Sequence, residues 1–150
     1  MLSLYSHGMT TPKTNPPGQP ACQQILYLSR LVSDCSYDVF AAICRVARAF
    51  NDRCELRGIL VFDGHRFGQL IEGPAPAAQA LMARIARDPR HTALHMRVDR
   101  LLQAPSPLSG WLPGFCGPEE LDVFEGPQGL RDADAIGAFL ALAARADLSP

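Results

Sequence analysis

With 150 residues, 47% of them hydrophobic and 19% charged, the chain is sized for one domain with a packed core, which excludes a multidomain machine, a fibrous repeat and a wholly disordered polymer. A net charge of −1 hides an uneven spread, with 12 basic against 8 acidic residues up to Cys116 and 2 against 7 from Gly117 onward. Neither part is charged enough to demand nucleic acid, and the acidic tail is suited to a contact with the more basic body or with a partner.

No apolar run approaches the ~20 residues needed to cross a bilayer. The opening MLSLYSHGMTTPK has neither a basic n-region nor a sustained apolar h-region. The expectation is therefore a cytoplasmic protein without a membrane partner. Cys22, Cys35, Cys44, Cys54 and Cys116 form an odd set without a CxxC pair, which points to reduced thiols rather than a disulfide framework or a zinc ribbon.

In chain order, residues 1–22 hold Pro12, Pro16, Pro17, Pro20, Gly8 and Gly18, too few apolar groups to order themselves, and read as a flexible arm. Gln24 to Ser29 (QILYLS) is a short β-compatible run. From Tyr37 to Phe50 the apolar residues Val39, Phe40, Ile43, Val46, Ala47 and Phe50 recur at three- and four-residue spacing and predict an amphipathic helix. Glu55–Phe62 and Arg66–Glu72 predict two antiparallel strands joined at Asp63-Gly64, a dipeptide favoured in tight hairpins. Pro74 and Pro76 can open a second helix, which Pro89 stops near Arg87. Ala93–Leu101 predicts a fourth strand, Trp111–Phe115 a short fifth, and Asp132–Ala146 a C-terminal helix or pair of helices. The order β-α-β-β-α-β is the ferredoxin-like arrangement of an α+β fold.

Enzyme signatures are thin, and the chain is not expected to be an enzyme. No GxSxG, P-loop or GxGxxG occurs. His91 and His95 are four apart without the glutamate of HExxH, so a zinc site is not expected. The fold order also builds RNA-recognition modules, but Ile59 and Leu60 stand where base-stacking aromatics are wanted, and nucleic acid is not expected as a partner.

Four stretches taken together carry a resemblance. They are Ile25–Arg30 (ILYLSR), Asn51–Phe62 (NDRCELRGILVF), Gly64–Gly73 (GHRFGQLIEG) and Arg84–His91 (RIARDPRH), followed by Trp111. Over residues 23–116 the chain resembles the BLUF family of blue-light sensors that use flavin. The resemblance implies a short single-domain photoreceptor, with residues 1–22 as an arm, 23–116 as the flavin-binding domain and 117–150 as a helical extension. It implies a non-covalent FAD between the two helices, with FMN or riboflavin as substitutes.

The matched residues also have reasons and bland alternatives of their own. Tyr27 carries a phenol with an ordinary pKa near ~10 that could give up an electron and a proton, or it is a core tyrosine with a satisfied hydroxyl. Gln69 carries an amide whose donor and acceptor ends exchange on reorientation, or it faces water from an edge strand. By resemblance Asn51 pairs with the flavin's pyrimidine edge; otherwise it caps helix one. Arg84 and Asp88 are four apart and can pair; by resemblance Arg84 reaches the flavin's C2 carbonyl side and Asp88 steadies it. Ile43 and Ile85 resemble the aliphatic pair that sandwiches the ring, His91 a ligand contact after helix two, and Trp111 the strand-five tryptophan whose position near the pocket differs between states.

The implied photochemistry has Tyr27 donating an electron and then a proton by way of Gln69. Recombination leaves the Gln69 amide rearranged, with a stronger hydrogen bond to the flavin C4 carbonyl and a small red shift. Output would pass through strand five and the segment from Gly117 to an unidentified downstream protein partner or to a homo-oligomer. The rivals are a flavin-free interaction module on the same fold and a small flavin reductase-like enzyme. Departures from the family pattern are Pro113 in place of a methionine, Arg57 before Gly58, Ala47 on helix one and Phe50 beside Asn51.

Overall fold

Alternation along each strand sends successive side chains to opposite faces of a sheet, and here both faces are covered. The computed structural model describes residues 17–18, 20–32, 37–104 and 108–148. Its elements are β1 (Cys22–Leu31), α1 (Tyr37–Arg53), β2 (Arg57–Phe62), β3 (Arg66–Pro74), α2 (Ala75–Arg87), β4 (His91–Leu102), β5 (Trp111–Phe115), a 3-10 turn at Asp122–Phe124, α3 (Asp132–Arg145) and β6 (Asp147–Leu148). The sheet order is β4-β1-β3-β2-β5-β6, with β2 and β5 parallel and the other pairs antiparallel. This is the expected α+β, ferredoxin-like arrangement extended at one edge. Most of the arm expected over residues 1–22 lies outside the described residues, as does Cys35, whereas Cys22 already pairs with Pro74 and Leu102 as the first residue of β1.

One face carries Ile25, Tyr27, Phe67, Gln69, Ile71, Leu60 and Trp111 and packs against α1 and α2. The opposite face carries Leu26, Leu28, Ile59, Val61, Leu70 and Val98, and buries Leu121, Phe124, Ile136, Phe139 and Leu142 of the C-terminal segment. Gly58 has no room for a side chain, since a Cβ there would lie 2.0 Å from the Leu70 carbonyl oxygen.

Two boundaries differ from the sequence reading for identifiable reasons. Helix α1 runs past Asn51 and closes with Leu56 N–H donating to Asn51 O (2.9 Å) and Glu55 N–H to Asp52 O (3.3 Å). Glu55 sits at φ 58°, so the helix ends in the paired bonds of a Schellman cap. Cys54 and Glu55 are used in that cap, and β2 starts only at Arg57. At the β2–β3 turn Asp63 is not a positive-φ residue but a side-chain anchor. Its Oδ1 accepts from the N–H groups of His65 (2.9 Å) and Arg66 (2.6 Å), and Gly64 at φ 101° makes the reversal.

Pro113 fits β5 because of strand parity. Gly58 N–H donates to Gly110 O and Cys116 N–H to Phe62 O, so even-numbered residues of β5 address β2 in the parallel ladder. Pro113 has the other parity, and its missing donor faces away from β2. The two-residue β6 pairs only with Gly114 and Phe115; Asp147-Leu148 is too short to show periodicity in sequence.

The acidic C-terminal segment contacts the more basic body, as its charge suggested. Arg66, with a side chain 8% exposed, bonds Asp63 (2.7 Å), Asp122 (2.7 Å) and Glu125 (3.3 Å), and donates to Pro118 O. Arg30 also reaches Glu125 (3.1 Å). Water screens the more exposed Asp122 and Glu125, so removing the cation uncovers chiefly the buried Asp63, a loss of about 1–3 kcal/mol. Arg66→Ala is expected to lower the unfolding free energy read from urea melts by that much and to speed amide exchange over residues 118–125; an unchanged exchange rate there would show that Arg66 does not tie the segment down.

Candidate functional site

Helices α1 and α2 leave a cleft above the sheet with a cavity volume of about 190 Å³, partly open to solvent. Tyr27 of β1 and Gln69 of β3 face each other directly in the antiparallel register, and on this face they form its floor. Ile43 and Asn51 come from α1, Arg84 and Ile85 from α2, Asp88 from the turn after α2, and His91 from the start of β4. All eight expected ligand-contacting residues therefore line one cavity. Trp111 reaches it through Gln69.

The polar floor is a chain of directed hydrogen bonds. Gln69 Nε2 donates to the Tyr27 hydroxyl (2.6 Å), and Trp111 Nε1 donates to Gln69 Oε1 (3.0 Å). All three side chains are buried, so the Gln69 amide is in the core and not on an edge. Burial pushes the Tyr27 phenol well above its usual value, and the hydrogen bond from Gln69 only partly opposes this; the hydroxyl is neutral at physiological pH.

Asn51 is 1% exposed, and its Oδ1 has no hydrogen-bond partner within the protein. A buried amide oxygen left unbonded is costly. Because Asn51 lines the cleft and its backbone carbonyl alone serves the helix cap, this side chain is available for a ligand with a hydrogen-bond donor. A flavin's pyrimidine edge has an imide N–H of that kind, and the cleft's apolar walls suit its ring.

The Arg84–Asp88 pair expected from helical spacing is replaced by another. Pro89 turns the backbone at Asp88 extended (φ −71°, ψ 116°) and ends α2 at Arg87, so Asp88 leaves the helical face shared with Arg84. Arg90 holds both oxygens of the Asp88 carboxylate: Oδ2 accepts from Nη2 (2.7 Å) and Nε (3.1 Å), and Oδ1 from Nε (3.0 Å) and the backbone N–H (2.9 Å). These hydrogen bonds hold the Asp88 carboxyl below the usual carboxylate range. The Arg84 guanidinium instead stacks 4.6 Å from the centroid of Phe50, a cation–π contact.

Sequence reasoning missed Arg90 as a wall residue, and Phe67, Leu60 and Leu81 as apolar lining. The turn Asp88-Pro89-Arg90 could have flagged the arginine; the apolar residues carry no signal beyond that of a core. His95 lies opposite Leu28 in the β1–β4 register, on the face away from His91, and no metal-binding group of three or more His, Cys, Asp or Glu occurs among the described residues. Cys44, Cys54 and Cys116 are free thiols, and burial pushes the Cys44 thiol up to about 11 and the Cys116 thiol up to about 12, away from nucleophile chemistry. No described helix is long and apolar enough to cross a membrane.

Burial also holds His91 below the usual imidazole value, with Arg90 adding to the effect and Asp88 opposing it. The unfolded chain thus binds more protons than the folded one between the lowered value and ~6.5, and stability is complete above that window and lost as pH falls through it. The urea midpoint is expected to drop as pH is lowered from about 7 to about 5, with His91→Asn losing that share of the drop; an identical slope in the variant would contradict a neutral buried His91.

The comparisons with known proteins agree with this geometry. The model of the family described as sensors of blue-light using FAD matches residues 22–105, more than half of the chain. Over 67 residues the chain is 31% identical to the blue light- and temperature-regulated antirepressor BluF of Escherichia coli (strain K12), a match spanning 45% of this chain and only 17% of that protein. Among solved structures, the dark state of the BLUF protein BlrB superposes with a TM-score of 0.64 at 26% identity, covering 82% of this chain and 98% of that one. A bacterial light-regulated adenylyl cyclase shares the fold alone, with a TM-score of 0.58 at 18% identity over 83% of this chain and 34% of that one. With the family model matched across β1 to β4 and the expected residues gathered around one cleft, the chain belongs to the BLUF family of blue-light sensors using FAD.

Proposed function

We propose that this chain is a blue-light photoreceptor that holds FAD non-covalently in the cleft between α1 and α2, with FMN or riboflavin as substitutes at the ring site, and that it catalyses no reaction. The observation that carries the reading is the buried Gln69 amide bonded on one side to Tyr27 and on the other to Trp111. Asn51 Oδ1 supplies an acceptor for the ring's imide, Ile43 and Ile85 the apolar walls, Arg84 a cation, and Asp88 and His91 the polar end of the cleft. A bound flavin supplies blue-light absorption and, when excited, accepts an electron.

The chain's own side chains govern the response to that electron transfer. Tyr27 is the donor bonded to the switchable amide, and its phenol becomes strongly acidic once an electron has left. Rotation of the Gln69 amide would point Nε2–H at Trp111 Nε1–H, donor against donor, so this amide cannot turn over while Trp111 stays bonded. Any rearrangement of Gln69 is therefore passed to Trp111, the first residue of β5. From there it would reach the C-terminal extension, whose residues 121–148 pack on the other face of the sheet. Residues 23–116 act as the flavin-binding domain in this proposal, and output is a cytoplasmic partner protein or a change in self-association.

Purified protein should be yellow, and its absorption should shift slightly to the red under blue light. Tyr27→Phe should stay yellow and lose the shift; a normal photocycle in that variant would exclude Tyr27 as donor. Asn51→Ala should weaken flavin binding by about 1–3 kcal/mol, read as a rise in Kd of roughly 5- to 150-fold. Protein that stays colourless when flavin is supplied would instead support a flavin-free interaction module.

A further inference from the structure

Behind the wall of the cleft formed by Asp88, Arg90 and His91, Ser29 extends a polar chain that the photochemistry above does not use. Ser29 of β1 is 1% exposed, and its Oγ lies 3.1 Å from His91 Nδ1. On the other side of the imidazole, Nε2 lies 3.9 Å from Asp88 Oδ2, and that carboxylate is held in turn by Arg90. The ring itself tilts at 56° against Phe67, with centroids 5.1 Å apart. Ser29 and His91 are 62 residues apart in sequence, and β1 pairing with β4 brings them together.

The protons in this chain can be placed from its chemistry. A carboxylate only accepts, so the favourable neutral tautomer carries its proton on Nε2, facing Asp88. Nδ1 then has a lone pair and needs a donor, and the hydroxyl beside it can rotate to supply one. We propose that Ser29 is a positioning residue, donating its hydroxyl proton to Nδ1 and fixing His91 as the Nε2–H tautomer in a single ring orientation. The groups facing the imidazole are Ser29 from β1, Phe67 from β3, and Asp88 and Arg90 from the connection, and the cleft around it also holds Arg84 and Tyr27.

Fixing the neutral form matters for the site. A second protonation would add a cation to a cleft already lined by two arginines against one carboxylate, and would reverse the Ser29 hydrogen bond. With His91 held neutral, the field at the Tyr27–Gln69 pair stays constant across neutral pH. That consequence rests on the function proposed above; the tautomer assignment does not.

The test is a long-range proton–nitrogen correlation spectrum of the full nitrogen-15-labelled chain at neutral pH, recorded with and without FAD. Wild type should show His91 as one Nε2–H tautomer. Ser29→Ala should lose that single pattern and show a tautomer mixture, and Ser29→Thr, which keeps a hydroxyl, should restore it. A wild-type Nδ1–H tautomer overturns the proposal, as does a Ser29→Ala spectrum identical to wild type. Should Ser29→Ala fail to fold, the wild-type tautomer and the Ser29→Thr pattern decide. If the tautomer shift is seen but FAD never binds wild type, the photoreceptor reading fails and the role of Ser29 stands.

Discussion

The site depends on one buried carboxamide. Gln69 sits in the middle of β3, the strand hydrogen-bonded to both β1 and β2, and a polar group placed that deep must have its bonds supplied by protein. Tyr27 and Trp111 supply one each. Because an amide has distinct donor and acceptor ends, this arrangement is directional: one orientation satisfies both partners, and any other breaks at least one bond. A side chain satisfied in only one orientation is suited to the two-state role proposed for it.

Strand β3 contributes to the packed layers on both faces of the sheet. Phe67, Gln69 and Ile71 face the cleft, while Arg66, Gly68 and Leu70 face the C-terminal layer. A Cβ on Gly68 would come within 3.1 Å of Leu121 and 3.2 Å of Phe139, so the backbone between cleft and C-terminal segment is packed without slack. At the start of the same strand Arg66 binds Asp122 and Glu125. Packing and charge thus both join the face that carries the amide to the acidic segment on the other side. Interiors packed at this density transmit small displacements instead of absorbing them.

The cleft is asymmetric in its polarity. Its floor and its Asn51 corner are buried and uncharged, whereas its charged groups are Arg84, Asp88 and Arg90. Charges are therefore kept where solvent can screen them, and the neutral donor–acceptor groups occupy the desolvated part where hydrogen bonds are strongest. Arg84, drawn onto Phe50, marks the boundary between the two.

The order of the elements from β1 to α3 could be read from the chain, because periodicity and turn chemistry are local and need no knowledge of distant partners. The stop of α2 before Pro89 was legible for that reason, while Tyr27, Asn51 and Gln69 stood out through the four family-like stretches that hold them. What the tertiary structure alone decided is which group each polar side chain bonds. Asp88 takes Arg90 and not Arg84 because the same proline that ends the helix swings its backbone out of helical phase. Ser29 meets His91, Trp111 meets Gln69, and Arg66 meets Asp122 through strand pairing and packing across long stretches of chain, and neither register nor hydrogen-bond direction can be read from spacing within one segment.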